Sequence, residues 1–240
     1  MDAFEIKLLA VVLMVADHAG KLLFPQLLVL QLLGRLSFPL FSWLLGMGER
    51  YTKNFNAYAY RLLVLAIISQ PAYALAFSSV KLNIFFTLLI GLLAIRYSQR
   101  FGAVFRWVIY VCSGLIASAL GFDYGFYGVL TIVLLTKYQV LQVRFWVAWV
   151  LLNLLSSLPG SFLYIGSYQF LAVLAPLVVI SYNNQQGGKS YLFYAFYPIH
   201  LIILYFLAMY VWSGKLEVLP SLRNCSIKIP WTELCYPFTL

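Results

Sequence analysis

Ile6-Lys7-Leu8-Leu9-Ala10-Val11-Val12-Leu13-Met14-Val15-Ala16-Asp17-His18-Ala19-Gly20-Lys21-Leu22-Leu23 is an apolar run with ionisable residues set inside it. A membrane helix needs about 20 mainly apolar residues, and this run supplies nearly that. Asp17 and His18 lie within it, and Arg35 lies on the next apolar segment. A charged side chain near the middle of a membrane helix costs roughly 2.5–3.5 kcal/mol on insertion scales. Lipid would therefore expel these groups unless they face a protein interior or a wet cavity. The run thus predicts a membrane helix, a bundle for it to face, and a candidate functional site.

Composition agrees. The chain of 240 residues is 63% apolar and only 10% charged, with 18% aromatic residues. A soluble domain is about 45–50% apolar and one quarter charged, so this chain has too little polar surface to cover a water-soluble globule. The net charge of +9 comes from 16 basic residues spread over short connections. That pattern suits membrane topology better than nucleic-acid binding. The start, Met-Asp-Ala-Phe-Glu, lacks the basic region and small-residue cleavage site of a secretory signal, so the first helix is expected to remain.

Working outward from the first run, apolar segments fall near residues 6–24, 27–48, 61–78, 83–97, 104–121, 125–137, 145–158, 162–181 and 191–212. The fold class is all-α: a polytopic transmembrane helix bundle of about 9 membrane helices, with 8 to 10 as the range. No Gly/Ser linker divides it. Residues 1–212 form one transmembrane domain, and 213–240 a polar C-terminal tail. An N-terminus in the cytoplasm places Arg50, Lys53, Arg61, Arg96, Arg100, Arg106, Lys137, Arg144 and Lys189 on that side. Only Lys21 and Lys81 are left for the other. Positive-inside bias favours this orientation, in what is expected to be a bacterial inner (cytoplasmic) membrane.

Helix rise then gives depth. Asp17 and His18 lie about 16–18 Å above the cytoplasmic end of the first helix, and Arg35 about 12 Å below the outer end of the second. Asp123 and Tyr124 sit at the outer junction of the fifth and sixth helices, and His200 about 14 Å into the last. These groups converge in one half of the bilayer.

Such a cluster can do acid–base chemistry. His18 can accept and return a proton near neutral pH. Successive helix residues point about 100° apart, so Asp17 need not reach His18. It can pair instead with Arg35, leaving Asp123 or a backbone carbonyl to orient the imidazole. The catalytic candidates are His18, Asp17 and Arg35; the substrate-binding candidates are Asn83, Asp123, Tyr124 and His200. Plainer roles stand beside these: a packing ion pair for Asp17 and Arg35, a turn for Asp123, and a satisfied core histidine for His200. The chain has no phosphate-binding Gly-Lys-Ser/Thr loop, no Gly-x-Ser-x-Gly elbow and no His-Glu-x-x-His motif. Two histidines and three scattered cysteines predict no metal site. Whether Cys225 and Cys235 pair depends on which side the tail occupies.

Several stretches resemble the TraX family of membrane proteins. They are Leu13-Met14-Val15-Ala16-Asp17-His18, Gly34-Arg35-Leu36-Ser37-Phe38-Pro39-Leu40-Phe41, Tyr60-Arg61-Leu62-Leu63 and Ile68-Ser69-Gln70-Pro71. Further on come Leu82-Asn83-Ile84-Phe85-Phe86-Thr87-Leu88-Leu89-Ile90-Gly91, Asp123-Tyr124-Gly125, Gly128-Val129-Leu130 and Phe196-Tyr197-Pro198-Ile199-His200-Leu201. In order they cover about residues 6–205, while residues from about Lys215 onward match nothing in that pattern. The resemblance implies a polytopic membrane acetyltransferase drawing on acetyl-CoA, and a more distant likeness to membrane acyltransferases with a histidine on an early helix. It assigns no catalytic residue; His18 comes from the reading of the residues.

Three functions follow from these readings. The first is transfer of an acetyl group from acetyl-CoA to an unknown amine or hydroxyl acceptor. His18 would be base or acyl carrier, with Arg35 or Asn83 stabilising the oxyanion. The second is proton-coupled transport, which uses the same residue types. The third is a structural membrane component of a secretion or conjugation apparatus. The expected partners are the lipid bilayer and the acyl acceptor, with no nucleic acid; oligomeric state is left open.

Overall fold

The computed structural model describes residues 1–188 and 192–218 and two short strands, Lys228–Ile229 and Thr232–Glu233, which pair antiparallel. Most of the tail, with Cys225 and Cys235, lies outside the described residues, as does Lys189. Everything else described is helix or connection. The first run folds as α1 (Ala3–Leu22), started by a reciprocal cap in which Asp2 accepts from the Glu5 N–H and Glu5 accepts from the Asp2 N–H.

The second apolar segment is broken into α2 (Leu28–Gly34) and α3 (Ser37–Tyr51). Pro39 supplies the reason. It has no N–H for the Arg35 carbonyl, and its ring crowds that carbonyl, which interrupts the helical hydrogen-bond ladder at this point. The chain tightens there instead: the Arg35 and Leu36 N–H groups reach back three residues to Leu32 and Leu33, each at 3.2 Å. This break sits at the depth of Arg35.

Then follow α4 (Phe55–Phe77), α5 (Ile84–Tyr97), α6 (Ala103–Ala119), α7 (Gly125–Lys137) and α8 (Val143–Ser157). The expected segment at 162–181 is helical only from Gln169, as a 3-10 stretch (Gln169–Leu174) running into α9 (Ala175–Ile180). Pro159-Gly160, with Gly160 at φ +82°, and the open stretch to Tyr168 keep its first part out of the helix. The last helix, α10, spans Leu192–Val218. Counting α2–α3 as one crossing, and the 3-10 stretch with α9 as another, the described residues make nine apolar helical segments.

Among the described residues, three segments are long and apolar enough to cross a membrane on those grounds alone: Leu28–Tyr51, Phe55–Phe77 and Ala195–Trp212. Side chains such as Val12, Ile67, Val104, Phe105, Val147 and Phe206 are exposed on the outer faces of their helices, as a lipid-facing belt requires. The interior is organised on α7, which packs against α3, α5, α6 and α8. Small residues allow the close approach: a Cβ on Gly46 of α3 would fall 2.2 Å from Thr136 of α7. On the other side α10 packs against α4 and α1, where Leu22, Tyr73, Ala76, Tyr197 and Leu201 are buried together. That second contact places the last helix beside the run that opened the sequence.

Candidate functional site

On α1, Lys7, Val11, Met14, His18 and Lys21 are spaced four, three, four and three residues apart, which puts them on one helix face. All five line a single cavity of about 870 Å³. Opposite α1 the wall comes from Arg35 and Phe41 on the broken second crossing, Arg61 and Leu62 on α4, and Leu88 on α5. Lys7 and His18 are eleven residues apart, or about 16 Å along the axis. Lys7, Tyr58 and Arg61 mark one end of the cavity. Val11, Met14, Phe41, Leu45, Leu62 and Leu88 form an apolar middle. Asp17, Lys21, Arg35, Lys81, Asp123 and Tyr124 stand at the other end.

His18 is held by His200. Its Nδ1 lies 2.9 Å from His200 Nε2, and His200 Nδ1 lies 2.9 Å from the Phe196 carbonyl oxygen. The two rings are 5° from parallel with centroids 5.2 Å apart. That separation is two ring radii plus the N···N distance, so the rings lie edge to edge in one plane rather than face to face. The Phe196 carbonyl can only accept, which assigns the proton to His200 Nδ1. In the neutral pair His200 Nε2 is then an acceptor, and His18 Nδ1–H must be its donor. His18 Nε2 is left as a lone pair, and no hydrogen bond among the described residues engages it. Phe77 edges on the His18 ring and Phe196 stacks on His200, fixing both planes.

Asp17 points elsewhere. It accepts from Arg35 Nη2 at 2.6 Å and from Lys21 Nζ at 2.5 Å, and is buried. Gly34 lets the helices approach this closely, since a Cβ there would lie 2.2 Å from that of Asp17. Arg35 also donates through Nε to the Gln31 carbonyl, 3.2 Å away. The ion pair expected between Asp17 and Arg35 is therefore present, and the partner that orients His18 is His200 rather than a carboxylate.

Asp123 and Tyr124 line the cavity. The Asp123 backbone is pinned by the Thr87 hydroxyl, which donates to its carbonyl, and by a 2.8 Å bond from its N–H to Leu82. Tyr124 takes a left-handed φ of 62° and stacks its ring on Phe38, 4.3 Å between centroids. Asn83 is placed differently. It is fully buried at the N-cap of α5, donating to the Ala66 carbonyl and Gln70 and accepting from the Phe85 N–H. Its amide is spent on structure, and it does not line the cavity. His200 stands behind His18 rather than in the cavity wall. Among the described residues no group of His, Cys, Asp and Glu could hold a metal ion.

Two sets of residues were not singled out in the sequence. Lys21, Arg61 and Lys81 are ordinary topology signals there and Lys7 is given no role, although the spacing of Lys7 and Lys21 from His18 already places them on its face. The stretch Tyr164–Gln169 forms part of the wall without any motif to mark it. Non-helical backbone at membrane depth is tolerated where it lines such a space.

The family model described as TraX protein matches residues 3–208. The chain belongs to the TraX family. Every residue of the site just described, from Lys7 to His200, falls inside the TraX match. A relative within reach of direct comparison is the probable fimbrial assembly protein FimC, serogroup H1, of Dichelobacter nodosus. It is 28% identical over 233 residues, covering 85% of this chain and 94% of that protein. No solved structure matches.

Proposed function

We propose that this TraX-family membrane protein serves the assembly of fimbriae or related surface appendages, and that it contributes acyl transfer centred on His18. The assembly role is supported by the name of its Dichelobacter nodosus relative and by the family match. The chemistry rests on one observation: a carbonyl–His200–His18 relay that leaves a bare Nε2 lone pair on a residue lining a large cavity.

In this reading an acceptor amine or hydroxyl enters from the end bearing Lys21, Lys81 and Asp123. His18 Nε2 takes its proton as the acceptor attacks the donor's thioester carbonyl. The oxyanion forms next to the positive charge of Arg35 and Lys21, and collapse of the intermediate releases the thiol, which recovers a proton. The donor of choice is acetyl-CoA. Its phosphates suit Lys7 and Arg61, and its long arm suits the apolar section about 16 Å deep between Lys7 and His18. Positive-inside bias makes the Lys7 end cytoplasmic, which is where acetyl-CoA is found, in a bacterial inner membrane.

The test uses purified protein in detergent with acetyl-labelled acetyl-CoA, wild type beside His18→Ala at matched thermal stability. CoA release or covalent labelling by wild type alone supports the reading. A purely structural part of the assembly machinery predicts the opposite: no turnover in either protein, and fimbriation intact in cells carrying His18→Ala.

A further inference from the structure

A second pocket opens at the end of the bundle where α3, α5 and α7 finish. It encloses about 400 Å³ and is lined by Glu49, Arg50, Arg96, Gln99, Thr136 and Lys137. Three cations face one carboxylate, so the pocket is positive whatever the orientation of the chain. The side chains are also held in place. Glu49 is 6% exposed and accepts from Arg96 Nη1 at 3.1 Å and from Gln99 at 3.4 Å. The Arg96 guanidinium lies over the Phe55 ring, 5.0 Å from its centroid. Arg50 Nη2 donates to the Thr136 carbonyl at 2.8 Å.

Cations near helix C-termini are expected from the helix dipole, and topology alone accounts for their number at this end. Neither explains the arrangement. The Thr136 carbonyl uses one N–H of Arg50, and Glu49 uses one of Arg96. Among the described residues, the rest of both guanidinium forks makes no hydrogen bond and Lys137 makes no hydrogen bond or salt bridge. A buried carboxylate and an aromatic ring hold one fork with its plane fixed beside an open space. Guanidinium forks match phosphate oxygens in pairs, and a lysine adds a point charge. Basic pockets between membrane helices on the cytoplasmic side are sites for anionic lipid head groups.

We infer that this pocket binds a phosphate-bearing anion, independently of the chemistry at His18. The phosphate can come from an anionic lipid head group or from a soluble phosphate compound. The experiment compares wild type with the double variant Arg50→Gln/Lys137→Gln, both substitutions being at exposed positions. One arm places each protein in nanodiscs of phosphatidylcholine alone or with added phosphatidylglycerol, and counts lipids retained by native mass spectrometry after release into neutral detergent. The other titrates inorganic phosphate on phosphatidylcholine nanodiscs at constant ionic strength and reads the thermal midpoint. Severalfold preferential retention of phosphatidylglycerol by wild type, lost in the double variant and kept by Lys137→Arg, supports a lipid site. A saturable rise in midpoint with phosphate, likewise lost, supports a soluble ligand. Equal behaviour of wild type and double variant in both arms overturns the inference.

Discussion

At the scale of single residues, the relay behind His18 makes separable demands on its members. His18 lines the cavity and His200 does not, so in the proposed reaction His18 supplies the lone pair and His200 acts only through it. General-base groups contribute about 10²–10⁴-fold to rate, and His18→Ala is expected to cost acyl transfer that much with the fold intact. His200→Ala removes the acceptor that holds the His18 tautomer. It should lower kcat by roughly 10²-fold while leaving KM for the donor near wild type, a split that steady-state kinetics reads directly. His200→Gln, whose amide oxygen can accept from His18 Nδ1, should recover part of the loss. A His200 that merely filled space would show no such ordering. Asp17 is different in kind. It is 6% exposed and bound by two cations, so Asp17→Asn strands the Arg35 charge in the bundle and is expected to cost about 3–5 kcal/mol of stability. Gly34→Ala drives a methyl group into the same carboxylate and is expected to cost about 1–3 kcal/mol. Thermal unfolding in detergent checks both, and a Gly34→Ala protein as stable as wild type would show that the helices can move apart there.

At the scale of elements, the break between α2 and α3 sets the position of Arg35. Pro39 removes a hydrogen bond and turns the helix just where the guanidinium must reach Asp17. Pro39→Ala restores an N–H for the Arg35 carbonyl, so a continuous helix becomes possible, and helix interiors gain about 3 kcal/mol when proline is replaced by alanine. Arg35 then rotates away from Asp17, and the lost buried pair offsets that gain, so the expected outcome is a thermal midpoint near or somewhat below wild type together with a loss of activity of about tenfold or more. A variant with both stability and activity unchanged would place the origin of the break elsewhere. Much of this was legible in the sequence, because apolar length fixes helices and helix rise fixes depth. Asp17 and Arg35 could be matched because their depths agree and they lie on consecutive segments, and Pro39 could be seen to interrupt the second crossing. The link from His18 to His200 could not be paired in this way, since depth arithmetic brings residues to one level but does not say which helices are neighbours. Asn83 illustrates the opposite difficulty. A buried amide at the right depth reads as a ligand group, yet its position just before a helix makes it a cap. The start of the 162–181 segment failed as helix because Pro159, Gly160 and Gly166 break it, a local signal that mean hydropathy overrides.

For the whole molecule, the consequential property is that one cavity carries cations at both ends and an apolar section between them. Lys7 and Arg61 belong to one end of the bundle, Lys21 and Lys81 to the other, with His18 nearer the second. If the donor is a membrane-impermeant thioester, only one face of the membrane can supply it. The sidedness of the reaction is then fixed by the fold. With the proposed orientation, acetyl-CoA added to sealed inverted inner-membrane vesicles should meet the face bearing Lys7 and Arg61, and label should be transferred; in spheroplasts the same addition should yield none until the membrane is permeabilised. The orientation is checked in the same preparations by single cysteines in a background with Cys112, Cys225 and Cys235 all replaced by serine, since the chain carries three cysteines and Cys112 is itself exposed. Lys53→Cys should react with an impermeant maleimide only in inverted vesicles, and Ser79→Cys only in spheroplasts. Removing both charges with Lys7→Gln/Arg61→Gln should raise KM for acetyl-CoA about tenfold or more while leaving turnover at saturation close to wild type, since in the proposed reading these groups hold the donor far from the reacting carbon. Labelling of both faces alike would deny the cavity a direction. Transfer from the spheroplast side alone would reverse the assignment of its two ends.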